Sequence, residues 1–203
     1  MAAKQSTCPS LSFHPLTAER WPDLEKLFGA RGACGGCWCM WWRLTRSEFE
    51  KNKGAANKRA FKKIVWKAGD DAAPGILACT GDEPIGWCAV GPRETYPVLG
   101  RSPVLKPVDD RPVWSITCLF IARPYRRRGI SGRLINAAVE FARHRGAKIV
   151  EGYPVEPRGE TAPDAFVWTG LPSSYRNAGF REVLRRSPTR PILRRTVRRS
   201  PVR

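Results

Sequence analysis

CLFIARPYRRRGISGRLI, residues 118–135, passes from an apolar run through an arginine cluster into a glycine-punctuated helical pattern. The apolar run begins earlier, at 113, and continues to 122 as VWSITCLFIA, which reads as a buried strand. Downstream, Leu134, Ile135, Ala138, Val139 and Ala142 recur at helical spacing, while Arg133, Asn136, Glu140, Arg143 and His144 fall mostly on the other side. That pattern predicts an amphipathic helix over 131–145, stopped by Gly146. A further apolar stretch at 148–155 predicts the next strand, and two buried strands joined through a helix imply a right-handed parallel crossover.

The loop between the first strand and the helix carries the chemistry. Backbone N–H groups at a helix start lack intrahelical partners and carry partial positive charge, so they suit a phosphate. Gly129 and Gly132 let a ligand approach the backbone, Ser131 is small enough to cap the helix, and Arg126, Arg127 and Arg128 add forked donors. The pattern GxGxxG is absent, and no GK[ST] ends the loop, which excludes the dinucleotide fingerprint and the P-loop.

Working outward, 11–16 predicts a first strand and 17–28 a helix, with Pro22 tolerable only in its first turn. One or two helices are expected over 46–69, then a hairpin from 75–80 and 85–90 around the turn GDEP. Residues 91–112 are rich in Pro, Gly and Arg and predict a long irregular connection. Short strands are expected at 166–168 and 181–184 with a helix at 171–178 between them, and 190–197 adds a last strand.

The 203 residues suit one domain, and 42% apolar against 27% charged residues is a globular balance. No window is apolar enough to cross a bilayer, and the N-terminal residues lack the apolar region of a secretory signal. With no export signal, the seven cysteines are expected to be reduced thiols in a cytoplasmic protein, Cys79, Cys88 and Cys118 acting as small hydrophobes. The net charge of +18 points to a polyanionic partner or to an arginine-rich surface; residues 187–203 hold six arginines and no acid.

The 118–135 segment resembles the acetyl-CoA signature of the GCN5-related N-acetyltransferase (GNAT) superfamily, [QR]-x-x-G-x-[GA]. Arg126 and Gly129 match, and Ser131 stands where Gly or Ala is usual. YRNAGF at 175–180 is similar to that family's late Y-x-x-x-G-F element. The resemblance implies a mixed, splayed α/β sheet flanked by helices in a single domain over 1–186, with 187–203 as a basic tail. It implies acetyl-CoA as co-substrate, its pantetheine arm pairing with Leu119, Phe120 and Ile121. The pyrophosphate would lie on the loop of Arg126, Arg127, Arg128, Gly129, Ile130, Ser131 and Gly132. Transfer would be direct, to a primary amine of a small molecule or a protein, by a monomer or homodimer.

Under that resemblance Tyr175 matches the residue that often protonates the departing thiolate, its alternative being a ring packed on the pantetheine. Glu151 lies where family members sometimes place a base; its alternative is a carboxylate paired to arginine. Glu94, Asp109 and an ordered water chain are rivals for the base. A basic RNA- or ribosome-binding protein on the same fold is the runner-up reading of the whole chain.

CGGCWCMWW at 34–42 remains. Zinc needs four ligands, and Cys34, Cys37 and Cys39 would require Cys8 or His14 to complete the set, so no metal is expected. Trp38, Trp41 and Trp42 are spaced to share a helical face, which makes Trp38 and Trp41 candidates for the wall of an acceptor pocket, with core packing the alternative.

Overall fold

The computed structural model describes residues 10–69, 72–157, 159, 163 and 166–197, so Cys8 and residues 198–203 lie outside the described residues. Seven strands form one sheet in the order β1-β2-β3-β4-β5-β7-β6. They are β1 (Ser12–Pro15), β2 (Gly75–Thr80), β3 (Glu83–Pro92), β4 (Trp114–Ile121), β5 (Ile149–Gly152), β6 (Arg181–Arg185) and β7 (Pro191–Thr196). Neighbours pair antiparallel except β4 and β5. The helices are α1 (Trp21–Phe28), α2 (Arg46–Lys51), α3 (Ala55–Ala68), α4 (Pro97–Arg101), α5 (Ile130–His144) and α6 (Pro172–Asn177). Among the described residues no helix is long and apolar enough to cross a membrane.

Alternation along the strands divides the core. Cys88 and Val90 face α5, where Leu134, Ile135, Ala138 and Val139 pack with Ile76 and Val150. Trp87 and Ala89 face the opposite side, under Trp21, Leu24 and Phe28 of α1 and Phe61 and Val65 of α3. Pro22 sits in the first turn of α1, and the helix begins there rather than at 17 because the residues before it are spent in a turn. Thr45 caps α2 with a reciprocal Glu48 side chain, and Asn52 ends it, so the 46–69 region is two helices.

One feature departs from the expected pattern. Residues 166–168 form no strand: Val167 and Gly170 close a turn, and the Trp168 carbonyl instead accepts a bond from Leu119 on β4. The last strand expected at 190–197 is present as β7, which runs inside the sheet between β5 and β6, with Ile192 and Leu193 fully buried.

Full burial of Ile192 and Leu193 is worth roughly 1.5–3 kcal/mol each, against about 5–15 kcal/mol for a whole domain. A chain ended after Arg186 should therefore show no cooperative thermal transition by circular dichroism, whereas the full chain melts cooperatively.

Candidate active site

The arginine loop turns sharply before α5. Arg127 has φ +60° and Gly129, the residue ahead of the helix, has φ +72°. A left-handed arginine is costly, on the order of 1–2 kcal/mol, and backbone alternating through that region exposes successive N–H groups as an anion cradle. The first turn of this 15-residue helix adds its own unpaired N–H groups. Gly132 has an ordinary helical backbone, and a Cβ built on it would come no closer than 4.0 Å to another atom, Ser174 O. Packing does not require a glycine there; what its absence of side chain preserves is open access to the helix start. The loop therefore fits a diphosphate. Ser131 does not cap the helix, since its hydroxyl meets that of Ser174 on α6 at 3.1 Å.

This loop stands at the end of β4, where the sheet opens. β4 and β5 pair only through Trp114–Val150, Ser115–Glu151 and Ile116–Gly152, and residues 117–121 run on beyond β5. Every second residue of a strand presents its N–H and C=O to the same edge. Along the opened edge each such residue has a partner: the Trp42 indole donates to Thr117 O (3.2 Å), Leu119 N–H donates to Trp168 O (2.7 Å), and Arg126 Nε donates to Ile121 O (2.9 Å). Phe120, between them, pairs with Trp87 on β3 and packs beneath Phe28. The edge expected to be bare is thus filled by two tryptophans and an arginine.

Tyr175 lies at the foot of the opening. A Cβ on Gly152 would meet its ring at 2.1 Å and one on Gly170 at 2.8 Å, so the tyrosine is wedged between two glycine backbones. The ring is fully buried, Phe180 packs edge-on at 5.2 Å, and the hydroxyl donates to Thr169 O at 3.1 Å. Burial pushes the phenol well above its usual range, so it holds its proton at neutral pH. The ring thus packs on two glycines and Phe180, and the hydroxyl is a donor.

Glu151 is 1% exposed and both carboxylate oxygens are taken. Arg194 Nε donates to Oε1 at 2.6 Å, while Oε2 accepts from Arg93 (3.1 Å) and from the Tyr153 hydroxyl (2.7 Å). Tyr153 in turn contacts Ser115 Oγ at 2.7 Å, and burial raises its phenol well above the usual range. Arg194 also forks onto Asp109 at 2.7 and 2.9 Å; with Arg111 it holds the Asp109 carboxyl well below the usual carboxylate range. The arrangement is the arginine-paired alternative for Glu151: three donors hold its two buried oxygens. Glu94 is exposed in the turn after β3. His14 lies on β1 with its Nε2 3.0 Å from Ser12 Oγ, and His144 ends α5. Sequence reasoning did not find Arg93, Tyr153 or Arg194, because nothing local marks an arginine that will be buried.

The cysteine–tryptophan stretch does not form a helix carrying a shared face. Positive φ at Gly35, Gly36, Trp38 and Cys39 folds it back on itself. Gly36 is required, since a Cβ there would meet Gly54 N at 2.5 Å. Trp38 turns into the core, 2% exposed, stacked on Trp21 at 6.0 Å, which corrects its assignment to a pocket wall. Trp41 and Trp42 turn the other way and meet Trp168 at 6.3 and 5.7 Å. Cys39 Sγ accepts from the Trp87 indole at 3.0 Å, and burial raises the Cys37 thiol to about 11. Among the described residues no three His, Cys, Asp or Glu side chains are grouped to hold a metal ion.

Residues 38–158 match the family model described as Acetyltransferase (GNAT) family. Among curated proteins none matches the chain in sequence. Among solved structures, a GNAT-family acetyltransferase from Listeria monocytogenes 4b F2365 aligns with a TM-score of 0.57 at 8% identity, covering 92% of this chain and 95% of that one. A PaiA N-acetyltransferase from Thermoplasma acidophilum, solved in complex with coenzyme A, aligns at 0.51 and 14% identity, covering 93% and 99%. A GCN5-related N-acetyltransferase from Kribbella flavida aligns at 0.48 and 14%, covering 88% of this chain but 35% of that longer one. For the first two structures, at these identities, the likeness is one of fold.

Removing one partner of a buried ion pair costs roughly 3–5 kcal/mol. Glu151→Gln should lower stability by about that much in denaturant titration. Were Glu151 also a general base, the substitution would in addition abolish kcat.

Proposed function

The chain belongs to the GNAT acetyltransferase family, and we propose that it moves an acetyl group from acetyl-CoA to a primary amine of a small molecule or a protein. The observation that carries this reading is the anion cradle at 126–132, opening α5 beside the part of β4 that runs on past β5. Arg126, Arg127, Arg128, Gly129, Ile130, Ser131 and Gly132 would hold the pyrophosphate through backbone amides and guanidinium charge. Leu119, Phe120 and Ile121 would accompany the pantetheine arm. The co-substrate supplies an acyl group activated as a thioester; the protein supplies position and hydrogen-bond donors.

Two such donors are present, and both are capped by one segment. The Leu119 amide gives its hydrogen to the Trp168 carbonyl, and the Tyr175 hydroxyl gives its own to the next carbonyl, that of Thr169. An acyl oxygen at the β4 edge competes with Trp168 for the Leu119 amide. With that amide given to an acyl oxygen, residues 168–169 would come away from β4 and the Tyr175 hydroxyl, a protonated donor, would be free to serve the departing sulfur. Trp41 and Trp42, against Trp168, would form the acceptor-side wall. For the acceptor's own proton, Glu151 is buried and held by two arginines, and Asp109 is too weak a base under Arg194 and Arg111. The proton leaves through water.

Acetyl-CoA at a hundred times its Kd should stabilise the fold by about 2.7 kcal/mol, read as a rise in Tm. Gly132→Asp should abolish that rise while leaving the ligand-free Tm unchanged, because an acidic residue suits a helix N-terminus. In hydrogen exchange, saturating acetyl-CoA should slow amides at 126–134 and quicken those at 166–171; slowing in both segments would refute the exchange of Trp168.

A further inference from the structure

The arginines near the C-terminal end, the first place to look for a polyanion site, are largely committed to the fold. Arg185 pairs with Glu156 and Glu182, Arg186 bonds the carbonyls of Lys106 and Pro107, Arg194 holds Glu151 and Asp109, and Arg195 bonds Asn136 and Ala178 O. Outside the cradle, the uncommitted charge gathers on α3 and the turn before it. Residues 51–69 contain seven Lys or Arg and no Asp or Glu. Arg59, Lys62, Lys63, Trp66 and Lys67 recur at the spacing of one helix face, and all are exposed. Among the described residues none of these four cations makes a salt bridge; the paired ones, Lys53 with Glu50 and Lys58 with Glu25, flank the stripe. Trp66 stands in its middle, 50% exposed, with the Lys62 ammonium 4.7 Å from its ring centroid.

We propose that this face of α3 binds single-stranded nucleic acid, the cations tracking phosphates and Trp66 stacking on a base. Charge complementarity selects a polyanion, and the half-exposed indole selects one that carries aromatic rings. A bilayer fits less well. An interfacial helix inserts an apolar face, and the apolar face of α3, with Phe61 and Val65 at 0% and 1% exposure, is already spent on the core. The stripe spans nine residues, on the order of 12 Å from first to last along the helix axis, room for two or three phosphates. This surface is separate from the acetyl-transfer reading and does not depend on it.

The test uses the full chain, a fluorescein-labelled single-stranded U20 oligonucleotide and anisotropy across a salt series. Arg59→Glu with Lys63→Glu should weaken binding at least tenfold and reduce the salt slope by roughly 1.4, at about 0.7 per phosphate contact. Trp66→Ala should weaken binding about tenfold on U20 and leave an abasic oligonucleotide of the same length unaffected, stacking being worth roughly 1–3 kcal/mol per base. The double charge reversal should keep the wild-type Tm, and Trp66→Ala, which gives up the edge contact with buried Trp21, should lower it by roughly a few degrees while still melting cooperatively. The double substitution Lys106→Glu with Arg181→Glu changes net charge equally at exposed positions elsewhere and should leave U20 affinity within twofold. Equal loss in that control, an unaffected Trp66→Ala, or retention only by anionic phosphatidylserine vesicles or polyglutamate would overturn the proposal.

Discussion

A carboxylate in the middle of a sheet stays buried only if cations and donors come with it. Glu151 brings two guanidinium groups and a phenol, and each belongs to a different part of the chain. Arg194 comes from β7, Arg93 from the turn after β3, and Tyr153 from the exit of β5. Through Arg194 the network reaches Asp109, tethering the 91–112 connection across the sheet. In register, Ser115, Glu151 and Arg194 form one row across β4, β5 and β7. That row lies one residue before the last β4–β5 pair, so the place where the sheet opens is held from its closed side by charge.

Beyond the row, apolar and aromatic groups decide the geometry. Gly152, the last residue of β5, lets the Tyr175 ring come where a side chain would have kept it out. The tyrosine fills the widening gap, and Trp42 and Trp168 complete the edge with hydrogen bonds that β5 no longer supplies. Backbone groups in a dry gap need partners. Here those partners come from loops and side chains rather than from a strand, a form of satisfaction that another ligand can replace without unfolding the sheet.

Fold and loop were legible where periodicity and punctuation act locally. The run 113–122, the amphipathic stripe from Leu134 to Ala142 and the glycine at 146 each follow from neighbours in sequence. So does the cradle, because a helix start has the same unpaired N–H groups whatever surrounds it. The misreadings were long-range. Glu151 meets Arg194 across 43 residues and Arg93 across 58, and no local signal separates a buried arginine from the many on the surface. The tryptophan cluster was hidden for the opposite reason: its helical spacing is broken locally, where left-handed residues at Gly36, Trp38 and Cys39 send Trp38 to one side and Trp41 and Trp42 to the other.

The position of β7 bears on how the chain is made. β5 leaves the ribosome 43 residues ahead of Arg194, the second of the two arginines that hold Glu151, an interval of about 2–9 s at roughly 5–20 residues per second. During that time Ile149, Val150 and Gly152 lie on an unfinished edge, a short apolar template for pairing with another nascent chain. A charged side chain pointing from such an edge is the device that discourages it. Glu151, which locks the finished sheet, also guards the unfinished one.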